Sequence, residues 1–247
     1  MKKSKNIILT GATGGVGSEI SKLLVDSGMN LLLVSRDEKK LKQLQEKLLK
    51  RRDGAFVKFI AIDFNNPEKV EESVDDMFKI FGGKIDVLIN NAGIGYHSKI
   101  TSVDLDELKE VFAINALSPI ILTSKLFKHI AKSDFGHVIN ISSILGSRAM
   151  ERTATYTASK HALSGFAKVL RIEGAKDKVR VTTIEPGAIE TSFIKRTHDA
   201  ETKKLFSKRK LIKIEPKVIA EWVLKVIKTD SSVCPEILQI MPQDQIV

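Results

Sequence analysis

Short apolar runs alternate with longer amphipathic segments from residue 6 to residue 241, and that alternation leaves few folds open. The runs at Asn6–Thr10, Leu31–Ser35, Val57–Ile62, Ile85–Asn90, Val138–Ser142, Val179–Ile184 and Ile237–Met241 predict strands. Between them the spacing predicts helices over 15–27, Asp37–Arg51, Pro67–Phe81, 104–131, 153–175 and Pro216–Lys228. Leu41, Leu44 and Leu48 mark one face of the second helix, and Pro67 opens the third where its missing N–H costs nothing. Strand–helix–strand repetition builds a parallel sheet with helices on both faces and right-handed crossovers. The strands before residue 142 are continuous apolar runs, as a sheet covered on both sides requires. The expected fold class is therefore α/β: a doubly wound parallel sheet of about seven strands in one domain. No Pro/Gly/Ser-rich linker, internal repeat or low-complexity segment divides the 247 residues. Leu23, Leu24, Phe166 and Leu170 are assigned to the core, and Trp222 to helix packing.

A chain of this length buries a core without staples, and its one cysteine, Cys234, forms no internal disulfide, which fits a reducing compartment. The basic start, Met1-Lys2-Lys3-Ser4-Lys5, precedes only Ile7-Ile8-Leu9, too short an apolar run for a signal peptide. No run of about 18 apolar residues is present, so no membrane span and a cytoplasmic location are expected. The net charge of +10 is spread over several helices without interleaved aromatics, so a solvated basic surface is expected rather than a nucleic-acid site. His97, His129, His137, His161 and His198 show no zinc-ligand spacing, and no metal is expected.

The first strand runs into Thr10-Gly11-Ala12-Thr13-Gly14-Gly15-Val16-Gly17 and then a helix. Glycines allow a tight turn and close approach of backbone to ligand, and the helix start offers free N–H groups to a pyrophosphate. A dinucleotide site usually places an acidic residue at the tip of the second strand to bind the ribose 2′-hydroxyl. This chain has Ser35-Arg36 there, with Asp37 left to cap a helix. Arg36 suits a 2′-phosphate, so NADP(H) is expected over NAD(H).

Tyr156 and Lys160 stand four apart in a predicted helix and share a face. A cation beside a phenol favours the phenolate and draws its pKa from about 10 toward neutrality. Such a phenol exchanges protons at cellular pH.

Together these segments resemble the short-chain dehydrogenase/reductase family over nearly the whole chain. Thr10–Gly17 is similar to its glycine loop, with a Gly-x-x-x-Gly-x-Gly spacing. Asn90-Asn91-Ala92-Gly93 matches the family's segment after the fourth strand. Asn115 matches the asparagine of its fifth helix, and Ser143, thirteen residues before Tyr156, its serine. Pro186-Gly187 with Thr191 matches the stretch beside the nicotinamide, and Asp63-Phe64 the acidic end of the third strand.

The resemblance implies a Rossmann-type NADP-dependent oxidoreductase acting on a carbonyl or secondary alcohol. Its implied catalytic residues are Asn115, Ser143, Tyr156 and Lys160, with Ser143 and Tyr156 also binding substrate. Cofactor contacts are implied at Gly11, Thr13, Gly14, Gly15, Val16, Gly17, Ser35, Arg36, Asp63, Phe64, Asn90, Ala92, Gly93, Tyr156, Lys160, Pro186, Gly187, Ile189 and Thr191. Lys160 is expected to lower the tyrosine pKa and hold the nicotinamide ribose, and Asn115 to position a water linking Lys160 to solvent. Ser142 competes with Ser143 for the site-facing position, but neighbouring strand residues point to opposite faces.

Substrate choice is expected from the segments after Gly93, after Ser143 and over 190–213. The last is a basic lid (Lys195-Arg196, Lys203-Lys204, Lys208-Arg209-Lys210) that could draw in an anionic substrate. Ile184-Glu185-Pro186-Gly187 and Glu236–Pro242 resemble the 3-hydroxy acid and serine dehydrogenase branch. The alternatives are a β-ketoacyl-carrier-protein reductase, to which Arg171 but not Asp134 conforms, and a catalytically silent nucleotide-sensing scaffold. A homodimer or homotetramer pairing through 104–131 and 153–175 is implied.

Overall fold

The computed structural model describes residues 4–190, 197–208 and 212–245. Seven strands, β1 (Asn6–Thr10), β2 (Asn30–Ser35), β3 (Val57–Ala61), β4 (Val87–Asn90), β5 (His137–Ile141), β6 (Arg180–Pro186) and β7 (Ile237–Ile240), form one all-parallel sheet. Its order is β3-β2-β1-β4-β5-β6-β7. The chain starts at the centre, winds outward through β2 and β3, and returns past β1 to β4, so the direction of winding reverses between β1 and β4.

Alternate strand residues supply two cores. Ile7, Leu9, Leu31, Leu33 and Ile89 pack with Leu24 of α1 (Gly15–Asp26), Leu41 and Leu48 of α2 (Glu38–Leu49), and Val223 of α9 (Pro216–Lys228). Ile8, Leu32, Val34, Leu88 and Val138 pack with Val70 of α3 (Pro67–Glu72) and Met77 of α4 (Val74–Ile80). The same face takes Val111 of α5 (Leu105–Phe112), Leu122 and Leu126 of α6 (Ser118–Ile130) and Leu170 of α7 (Ala154–Lys176). A ninth element of the helical set, α8 (Ala200–Lys208), lies inside the basic tract.

The differences from the sequence expectation have local causes. The helix expected over Pro67–Phe81 breaks at Ser73, whose hydroxyl bonds the Val70 carbonyl at 2.7 Å and competes with the helix ladder. The tract over 104–131 is interrupted by a π turn, Ala113–Leu117, in which the Ser118 N–H reaches back to the Ala113 carbonyl. Strand β6 runs on to Pro186 because β7 pairs with it there, Glu185 against Gln239 and Pro186 against Ile240. Leu105–Ile130 holds an apolar window long enough to cross a membrane, but more than half of that window is buried in the fold. Trp222 sits on the surface of α9, with the Lys225 ammonium 4.5 Å from its ring centre.

Candidate active site

A cleft of about 630 Å³ opens at the carboxyl ends of the strands, along the β1/β4 reversal. Its floor is the loop joining β1 to α1. Gly11 has φ +64°, and a Cβ there would lie 2.8 Å from Ala92 Cα. A Cβ at Gly17 would lie 2.2 Å from the Gly11 carbonyl oxygen, so α1 can begin this close to β1 only without a side chain. Two segments are stitched together here. The Thr10 hydroxyl oxygen accepts from the N–H groups of Asn91 and Ala92 at 3.0 Å, and Asn91 Nδ2 donates to the carbonyls of Thr10 and Gly11 at 3.0 and 3.1 Å.

At one end the walls are Ser35, Arg36, Asp37 and Lys40. The hydroxyls of Thr13 and Ser35 bond at 2.7 Å. Asp37, on the same wall, caps α2, accepting from the Lys40 N–H at 3.0 Å, with the Lys40 ammonium at 3.2 Å. That hydrogen bond, with the Lys40 ammonium beside it, holds the Asp37 carboxyl below its ordinary value. The strand tip therefore presents a guanidinium and no free carboxylate.

At the other end lie Ser143, Tyr156 and Lys160. All three are buried, and all three line the cleft. Burial pushes the Tyr156 phenol up to about 12, against the opposing pull of its hydrogen bond with Ser143. Burial also takes the Lys160 ammonium down to about 8. Lys160 Nζ donates to the Ile141 carbonyl at 3.1 Å and stands 5.8 Å from the tyrosine ring centre. Desolvation thus dominates over the neighbouring groups and favours the protonated phenol. Ser143 rather than Ser142 meets the phenol; Ser142 bonds the Ser164 hydroxyl at 3.0 Å.

Asn115 occupies the π turn, fully buried. Its Oδ1 accepts from the Ile94 N–H at 2.9 Å, and its Nδ2 donates to the Ile94 carbonyl at 2.8 Å and to Ser159 Oγ at 3.0 Å. The side chain clamps the loop after β4 to α7, so the amide is spent on protein groups. Gly93 fits between it and Lys160: a Cβ there would touch Asn115 Oδ1 at 3.4 Å and Lys160 Nζ at 3.5 Å.

Of the other expected contacts, Gly14, Gly15, Val16, Ala92, Pro186, Gly187 and Ile189 line the cleft. Asn90 does not: its amide ties β4 to Thr123 at 3.0 Å and Asn140 at 2.9 Å. Asp63 and Phe64 also stand outside the cleft wall. Asp63 bonds the Asn65 N–H at 3.0 Å, and the Phe64 carbonyl accepts from Ser118 at 2.7 Å. Thr191, with Lys195 and Arg196, lies outside the described residues.

The family model described as short chain dehydrogenase matches residues 5–202. This chain belongs to the short chain dehydrogenase family. Among relatives of this short chain dehydrogenase is an uncharacterized oxidoreductase of Staphylococcus saprophyticus, 30% identical over 94% of both chains. Dehydrogenase/reductase SDR family member 7B of mouse is 35% identical over 76% of this chain, and the match spans only 58% of the mouse protein. An alcohol dehydrogenase from the archaeon Thermococcus sibiricus, solved with 5-hydroxy-NADP, superposes with a TM-score of 0.87 at 25% identity, covering 99% of each chain.

Asn91, His97 and Phe206, like Lys40, are among the cleft residues that the sequence reading did not assign. Asn91 sits within the motif already singled out, yet it, not Asn90, faces the glycine loop. His97 is 6% exposed, lines the cleft, and stands four residues past Gly93 in a segment expected to touch substrate. Phe206 arrives from α8, far along the chain, and nothing in its local sequence marks it.

Proposed function

We propose that this chain is an NADP(H)-dependent oxidoreductase acting on the carbonyl or secondary alcohol of a small substrate. The observation that carries this is a single cleft with a guanidinium at one end and the buried Ser143–Tyr156–Lys160 group at the other. The residues present fit a dinucleotide. The Gly11–Gly17 turn leaves no room for side chains, α1 begins behind it, and the cleft volume is in the range of small-ligand sites. Bound reduced dinucleotide would supply the hydride.

Each side chain then has a task. Tyr156, held protonated by burial, gives its proton to the carbonyl oxygen as negative charge grows there. Ser143, already bonded to the phenol, donates to the same oxygen, a bond that strengthens with the charge. Lys160 stabilises the phenolate left behind and is placed to hold the nicotinamide ribose. Asn115 fixes the Gly93–Ile94 loop beside Lys160 as a positioning residue, its amide bonded to Ile94 and Ser159. Arg36 and Lys40 take the 2′-phosphate through charge-assisted bonds. The archaeal relative's complex with 5-hydroxy-NADP supports the same choice.

Ser35→Asp places a carboxylate at the strand tip. It should weaken NADPH binding at least tenfold relative to NADH in fluorescence titrations. An unchanged preference would remove Arg36 as the selector.

The two segments that resemble the 3-hydroxy acid branch meet in the fold. Glu185 accepts from Ser147 at 2.8 Å, Gln239 at 3.0 Å and Ser164 at 3.2 Å, so the two segments that carry the resemblance bond each other under the site. A carrier-protein reductase is less well supported, since Asp134 stands where the resemblance would ask for a second basic residue beside Arg171. The exposed Leu105 on α5 and Val169 and Ile172 on α7 support pairing of two copies through these helices. Sedimentation should return a multiple of the 27.4 kDa chain mass, and a single-chain mass would end that proposal.

A further inference from the structure

We infer that the compound reduced at Tyr156 is an uncharged carbonyl with an apolar or aromatic body, and that His97 and Phe206 set this preference. The inference rests on the oxidoreductase reading above and adds the substrate class. His97 stands edge-on to Tyr156, with ring centres 5.9 Å apart at 86°, and edge-on to Phe206 at 5.3 Å and 89°. The three rings make a corner beside the catalytic phenol, continued by Ile94, Leu145 and Met150. Edge-to-face geometry of this kind accepts another ring or a branched alkyl group.

Charge is arranged elsewhere. Glu201, at the start of α8, takes up the neighbouring cations: Lys99 at 2.5 Å and Arg152 at 2.7 Å, with Arg152 also donating to Thr202 at 3.0 Å. These bonds hold α8 with Phe206 lining the cleft, and they pair Lys99 and Arg152 with a carboxylate. Arg36 and Lys40 stand at the far end. Lys213 precedes Ile214, which pairs with Ile189 on the cofactor side. Among the described residues that line the cleft, the cation beside the phenol is Lys160. Burial holds His97 neutral, down to about 4, so the imidazole brings no positive charge. A carboxylate seated here would lose its hydration without a partner.

The test uses a 3-oxo acid and its ethyl ester, which share one reactive ketone and differ in charge, with the full chain and NADPH. The ester should be favoured at least tenfold in kcat/KM; a smaller ratio overturns the inference. His97→Arg should move that ratio at least tenfold toward the acid, and no movement counts against His97. Phe206→Ala should raise KM for an aryl ketone about tenfold with kcat held within twofold; an unchanged KM removes Phe206. Acid consumed in preference to ester leaves the oxidoreductase reading standing and ends only this one. Dinucleotide binding with neither ketone consumed overturns both.

Discussion

Tyr156→Phe is expected to lower turnover by about 10²–10⁴-fold while the protein still folds and binds dinucleotide. The variant removes only the hydroxyl. The ring keeps its packing against Ile144 and Leu145, and Ser143 retains the Leu145 N–H as a donor to its oxygen. The loss of one hydrogen bond costs stability about 1 kcal/mol, so a large activity loss cannot be blamed on unfolding. The pH profile carries the same logic. With the phenol near 12, Tyr156 stays protonated over the working range and sets no limb of its own. Lys160 titrates near 8, so reductive kcat/KM should fall as pH rises through that value and the phenolate loses its stabilising cation. Residual turnover within tenfold of the parent in Tyr156→Phe, or a flat profile to pH 9, would remove the proton-transfer scheme.

Lys160→Met has the second large effect, and it has two opposite signs. Turnover should drop at least about 10²-fold, because the phenolate has no cation beside it. The dinucleotide-free protein should become more stable at pH 7. Lys160 ordinarily titrates at 10.5, and burial brings it to about 8, which costs the charged folded state about 3 kcal/mol. Methionine fills the same space without charge, although it leaves the Ile141 carbonyl without its donor. The net gain is about 1–2 kcal/mol, or a rise in Tm of a few degrees for a chain of this size. The direction with pH follows from the same displacement. The folded value lies below the unfolded one, so the unfolded chain binds the proton more tightly. The parent therefore gains stability as pH climbs from about 8 toward 10.5, and the variant lacks that gain. Melting curves at pH 7 and pH 10 check both points; a variant that melts below the parent at pH 7 would show that Lys160 is held without strain.

Much of this fold was legible residue by residue. The apolar runs named all seven strands; in β1, β2 and β4 this is because a strand covered on both faces must be apolar nearly throughout, while the edge strands β3 and β7 are partly exposed. The glycine turn was equally plain, since only residues without Cβ fit where α1 meets β1. Boundaries were less clear where a partner decides them. Pro186 belongs to β6 only because Ile240 lies beside it, and the helix over 67–81 breaks at one serine hydroxyl. Within the site, motif position alone could not separate Asn90 from Asn91. The two differ in which side of the β4 end they face, one toward Thr123 and Asn140, the other toward Thr10.

Covalent order thus determined the class of fold, the chemical groups available and their sequence along the cleft, because periodicity and spacing act over a few residues. Their electrostatic state was decided by the folded surroundings. Desolvation raised the phenol that its neighbouring cation was expected to lower, and it silenced the charge of His97. Packing of α8 brought Phe206 across more than a hundred residues to meet that histidine. Burial and long-range contact are properties of the assembled volume, and no short stretch of the chain encodes them.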